Sequence, residues 1–197
     1  MKGIPRMNLE KLLAQKKTTF LRRWFDLIID SYPHESAQMF KREKNAFANP
    51  VGSNTYQGLE GVYGEFLQGF NPEKITPWLD KIIRIRAIQN FSPSQAIAFV
   101  FQLKNLISEE LHKEIQEGLV SPEELAQFSA RIDQLALLAF DIYVECREKI
   151  YEIRINEVHN RTHRLLQRAN LISESTEQGS ELGDGNSLKT TQEKRYQ

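Results

Sequence analysis

SPEELAQFSARIDQLALLAFDIYVECREKIYEIRINEVHNRTHRLLQRANL, residues 121–171, decides the fold. After Pro122 it contains neither glycine nor proline, so nothing in it interrupts a helix. Ser121 sits at the cap, Pro122 at the first helical position and Glu124 three residues after the cap, the pattern of a capping box. A continuous helix of about 45 residues would span roughly 70 Å, longer than a compact domain of this size can cover. Its predicted inward register runs Leu125, Phe128, Ile132, Leu135, Ala139, Ile142, Cys146, Ile150 and Ile153, a near-heptad rhythm with one late four-residue skip. Up to Tyr143 the segment is apolar on nearly every side. After Glu145 the charges Arg147, Glu148, Lys149, Glu152, Arg154 and Glu157 leave only a narrow apolar stripe. The first half is therefore expected inside a domain, and the second half is expected to leave it and lie against another polypeptide. Ile132, Leu135, Ile142, Cys146, Ile150 and Ile153 are the expected dimer or partner interface.

Upstream the pattern is also helical. Ser92-Pro93-Ser94-Gln95 is a second capping box, opening a helix expected from Pro93 to Gln116. Ile97, Phe99, Val100, Phe101, Leu103, Leu106, Ile107 and Leu111 cover so much of its circumference that it should be central. In the first segment Leu9, Leu13, Phe20, Trp24 and Ile28 recur at multiples of three and four, which predicts one broad apolar stripe. Pro33 starts a short helix ending near Lys41 or Arg42, and residues 45–52 read as a loop. Tyr56, Leu59, Tyr63, Phe66 and Phe70 predict a further helix, on which Gly58, Gly61 and Gly64 fall on one side. Each glycine costs roughly 1 kcal/mol against alanine, so either a neighbouring helix approaches closely over that ridge or the segment is bent. Asn71-Pro72 and Thr76-Pro77 are both plausible starts for the next helix, whose inward face is Trp78, Leu79, Ile82 and Ile83.

These elements place one helical domain over residues 1–168, exit helix included. Residues 169–197 form a Ser/Glu/Gly/Thr-rich tail too poor in apolar residues to order itself. The fold class read here is all-α. With 26 Lys+Arg against 26 Asp+Glu, the chain lacks the basic excess expected of a nucleic-acid binder. No stretch approaches the ~18 apolar residues of a membrane span. The amino terminus has neither the apolar core nor the cleavage site of a signal peptide. Cys146 is the single cysteine, which suits a reducing compartment, and a cytoplasmic location is expected.

The chemistry on offer is sparse. The chain has no Gly-x-Gly-x-x-Gly, Walker loop, Gly-x-Ser-x-Gly or Cys-x-x-Cys. His159 and His163 have the four-residue spacing that can hold a metal, but no residue at a suitable spacing completes a site, so no metal is expected. His112 is the one histidine worth testing as an axial haem ligand. Asp141 interrupts an apolar run and must be marginal or paired, with Arg84 and Arg86 as partners, either as a structural ion pair or as a polar sensing site. Cys146 reads as a small apolar residue on the stripe or as a redox sensor. Phe91, Phe99, Phe101, Phe128 and Phe140 read as core. No nucleophile with an oriented base is visible, so no enzyme and no cofactor are expected.

Three stretches carry a family resemblance: Phe40-Lys41-Arg42-Glu43-Lys44-Asn45-Ala46-Phe47-Ala48-Asn49-Pro50-Val51-Gly52, Arg84-Ile85-Arg86-Ala87-Ile88-Gln89-Asn90-Phe91-Ser92-Pro93-Ser94-Gln95-Ala96, and Ala139-Phe140-Asp141-Ile142-Tyr143-Val144-Glu145-Cys146-Arg147-Glu148-Lys149-Ile150-Tyr151. From about Leu9 to Asn160 the chain resembles the N-terminal domain family of RsbRD-type RsbT co-antagonists, which are associated with bacterial stress-signalling assemblies. The resemblance implies a sensory or regulatory input domain, globin-like without haem and homodimeric. Related proteins continue through a helix into a STAS output domain, for which too few residues remain here. Stand-alone members found beside sulfur-respiration genes extend the implied role to regulation of energy metabolism. A haem- or small-ligand-binding globin-like sensor is the alternative.

Overall fold

A computed structural model describes residues 8–43 and 45–169. The expected tail therefore lies outside the described residues, apart from its first residue. Eight helices occur among the described residues and no strand: α1 (Leu9–Gln15), α2 (Lys17–Ile29), α3 (His34–Arg42), α4 (Pro50–Leu67), α5 (Pro72–Ile88), α6 (Pro93–Glu110), α7 (His112–Gln116) and α8 (Pro122–Arg168). The all-α reading holds. Two compact units divide between Ile155 and Asn156.

In the first unit, α2 buries Phe20, Leu21, Trp24, Ile28 and Ile29. Trp24 Nε1 donates to the Phe99 carbonyl at 2.8 Å, which satisfies the indole inside the core. Tyr63 Oη likewise donates to the Leu13 carbonyl at 2.8 Å, and burial pushes its phenol well above the ordinary range. Helices α4 and α5 pack most intimately. A Cβ on Gly58 would stand 2.7 Å from Ile82 Cγ1 and 2.8 Å from the Trp78 carbonyl oxygen, and one on Gly61 would stand 2.1 Å from the Trp78 indole. Gly64 faces open space. Close approach accounts for two of the three glycines.

Both Ser-Pro caps form. Gln95 N donates to Ser92 Oγ and Ser92 N to Gln95 Oε1, while Glu124 N donates to Ser121 Oγ and Ser121 N to Glu124 Oε2. Several boundaries differ from expectation. The first segment breaks at Lys16 into α1 and α2. Helix α6 ends at Glu110, and α7 follows as a separate turn of helix. Helix α4 begins at Pro50, inside the expected loop, because Asn49 caps it by accepting from Gly52 N at 2.8 Å. Asn71 caps α5, so Pro77 lies within that helix.

Helix α8 is continuous and, up to Ile155, turns Phe128, Ile132, Leu135, Ala136, Ala139, Ile142, Tyr143 and Cys146 into the core. Phe66 and Phe128 meet edge-to-face at 4.9 Å, Arg131 pairs with Glu10 at 2.9 Å and Lys104 with Asp133 at 2.6 Å. Phe101 and Phe140, read as core, are exposed. In the second unit, residues 156–168 are helical and expose Val158, Leu165 and Leu166.

Candidate functional site

Two of the stretches singled out in the sequence meet at the turn between α5 and α6, residues 89–92, and the first reaches its surroundings through Phe40. Asn90 occupies the left-handed region there (φ 62°), where asparagine is among the few residues tolerated. Around this turn, Phe91 N donates to the Arg86 carbonyl at 3.2 Å. Tyr143 Oη, from α8, donates to the Phe91 carbonyl at 2.5 Å. Arg147, one turn further along α8, donates to the Ala87 carbonyl at 3.0 Å, to Asn90 Oδ1 at 3.1 Å and to Tyr151 Oη at 2.9 Å. The Arg147 contact holds the Tyr151 phenol below its ordinary range. On the other side of the turn, the ring of Phe91 meets Tyr32, and Tyr32 in turn meets Phe40. The turn is thus bound by side chains from α5, α8 and the α2–α3 region.

Arg86 lies beneath it. The residue is 2% exposed, and its guanidinium centre stands 4.1 Å from the Phe91 ring and 5.5 Å from that of Tyr32, a cation–π arrangement. Nη2 donates to Ser31 Oγ at 3.0 Å and to the Gln95 carbonyl at 2.9 Å. Burial draws its pKa down against the opposing pull of Tyr32. Burial also raises the Tyr32 phenol, against the pull of Arg86.

The expected polar trio does not assemble. Arg84 is exposed and pairs with Asp80 at 2.9 Å one turn back, Arg86 is buried with aromatic neighbours, and Asp141 is exposed. Adjacent positions two apart on α5 point to different sides of the helix, which is why Arg84 and Arg86 part company. His112 is exposed at the start of α7. Among the described residues, no three His, Cys, Asp or Glu side chains converge as a metal site.

Ile132, Leu135, Ile142 and Cys146, expected at a partner interface, are instead covered by the chain's own core. Ile150 is half-buried and Ile153 exposed. Cys146 Sγ lies 4.0 Å from Asp80 Oδ1, and burial pushes the thiol up, an environment opposed to that of a reactive thiolate. The surface seam lies on the other side of the helix. Leu137 (67% exposed), Phe140, Tyr151 and Ile155 (67%) are exposed, and Val144 between them is half-buried. With 3.6 residues per turn these five fall within an arc of about 60°. The charged residues around them masked this second register in the sequence.

A cleft of about 790 Å³ opens between α2, α3 and the start of α4, with Phe25, Asp26, Phe40, Lys41, Asn49 and Tyr56 among its walls. Asn49 is built into it: Nδ2 donates to the carbonyls of Phe40 (2.9 Å) and Glu43 (2.8 Å). Phe47, in the same stretch, is 97% exposed.

A family model described as the RsbT co-antagonist protein rsbRD N-terminal domain matches residues 18–158. An uncharacterized protein of Archaeoglobus fulgidus is 31% identical over 80 residues, covering 40% of this chain and 48% of that protein. The match therefore spans about half of the relative's length. No solved structure matches.

Proposed function

The chain belongs to the RsbT co-antagonist RsbRD N-terminal domain family, and from that premise we propose that it is a cytoplasmic, non-enzymatic sensory and regulatory domain of bacterial stress or energy-metabolism signalling that works as a homodimer. One observation carries this reading: the exposed apolar seam of α8, Leu137, Phe140, Val144, Tyr151 and Ile155. A single helix with apolar residues at spacings of three and four is suited to a second helix of the same kind, which buries the seam in knobs-into-holes packing. A second copy is the occupant because it offers the same stripe, as two-fold association requires.

Tyr151 belongs to that seam and also receives the Arg147 hydrogen bond, and Arg147 holds the α5–α6 turn. A change at the turn is thereby passed to the dimer surface through one arginine. The non-enzymatic reading is supported by where the polar side chains go. Asn49, Tyr143 and Arg147 each donate to a backbone carbonyl. The test is the oligomeric state by multi-angle light scattering. Wild type is expected to be dimeric, and the double variant Tyr151→Glu/Ile155→Glu, altered only at exposed positions, is expected to be a folded monomer. A monomeric wild type, or a double variant that stays fully dimeric, overturns the seam.

A further inference from the structure

Beside the α5–α6 turn lies a shallow cavity, open to the surface, of about 410 Å³, with Tyr32, Ser36, Phe40, Gln89, Phe91 and Gln95 among its walls. None of its lining side chains carries a formal charge. Arg86 sits one layer below, stacked on the rings of Phe91 and Tyr32 and hydrogen-bonded to the Gln95 carbonyl. Its Nε and Nη1 hydrogen-bond to no group among the described residues, and no carboxylate pairs with it there. A guanidinium so desolvated and without a counter-charge is costly to bury, so an anion brought beside it is strongly favoured.

We propose that this cavity binds a small organic carboxylate, whose charged end pairs with Arg86 and whose apolar body lies on Phe40 and Phe91. Tyr32 and Phe91 belong to both places, lining the cavity and packing on the guanidinium. In the proposed complex the Tyr32 ring, whose hydroxyl also hydrogen-bonds exposed Gln89 at 2.8 Å, therefore gives way to admit the carboxylate. Arginine presents the fork geometry that a carboxylate matches. The aromatic walls favour an organic acid over a bare inorganic oxyanion, which would leave them without a partner. This site stands independently of the dimer seam.

The test is isothermal titration calorimetry on the full chain with benzoate, hydrocinnamate and succinate, with benzamide as the neutral counterpart of benzoate and sulfate and phosphate as anions without a body. At least one carboxylate is expected to bind, and benzamide is expected to bind at least about tenfold more weakly than benzoate, the scale of one charge-assisted hydrogen bond. Arg86→Gln is expected to abolish binding. Since that buried change can also unfold the chain, Ser36→Trp, at the cavity wall, serves as the second variant and is expected to remain folded by circular dichroism while losing the carboxylate. The proposal falls if no carboxylate binds wild type, if benzamide matches benzoate, if sulfate or phosphate binds as tightly as the carboxylates, or if folded Ser36→Trp binds unchanged.

Discussion

Gly58 and Gly61 are the points at which α5 comes down on α4, and they separate two explanations that the sequence left open. Glycines three apart drift roughly 60° around a helix at each step, so Gly64 has rotated off the ridge that Gly58 begins. The spacing alone could not show this, because what a glycine accommodates is decided by a neighbour. Gly58→Ala is expected to destabilise the protein by about 1–3 kcal/mol, since the Trp78 carbonyl oxygen at 2.8 Å is backbone and cannot yield cheaply. Gly61→Ala meets the Trp78 indole and should act in the same direction. Gly64→Ala should instead stabilise by up to about 1 kcal/mol, the helix-propensity gain with nothing to clash against. Urea unfolding of the three variants checks the order; a common sign for all three would refute the close-approach account.

Among elements, what was legible depended on how local the determinants are. The Ser92 and Ser121 caps close hydrogen bonds within three residues, so their sequence pattern suffices. The start of α4 was missed because Asn49 also reaches back to Phe40 and Glu43, nine and six residues upstream. Asn49→Ala is expected to cost about 2–3 kcal/mol, a lost cap plus two part-buried carbonyls left without their donor. Asn49→Asp, which keeps the acceptor for Gly52 N and loses the donors, should recover only part of this in chemical denaturation. Another tie joins the α1–α2 junction to α7: Lys16 meets Glu114 at 2.8 Å and holds its carboxyl below the usual range. A depressed folded-state pKa stabilises above the ordinary value of 4.5 and stops doing so as pH falls through the folded value. Glu114→Gln should therefore lower stability at pH 7 by about 1 kcal/mol, with the gap to wild type closing on acidification below pH 4.5.

For the molecule as a whole, the all-helical class and the length of α8 were readable from composition and periodicity, and the site was not. Helix α8 carries apolar residues on two faces, and the sequence favoured the more regular one, Ile132, Leu135, Ile142 and Cys146, which the core consumes. Arg86 was recognised as a candidate but given the wrong partner, because the rings it packs on come from Tyr32 and Phe91, outside its own helix. Tyr151 shows what the arrangement means for variation in this chain. Its ring sits on the exposed α8 seam, the surface proposed to self-associate, while its oxygen answers to Arg147. In the proposed dimer, leucine at this position would keep an apolar side chain on the seam and at the same moment cut the line from the turn. A dimer held by apolar side chains alone would therefore be one that no longer listens.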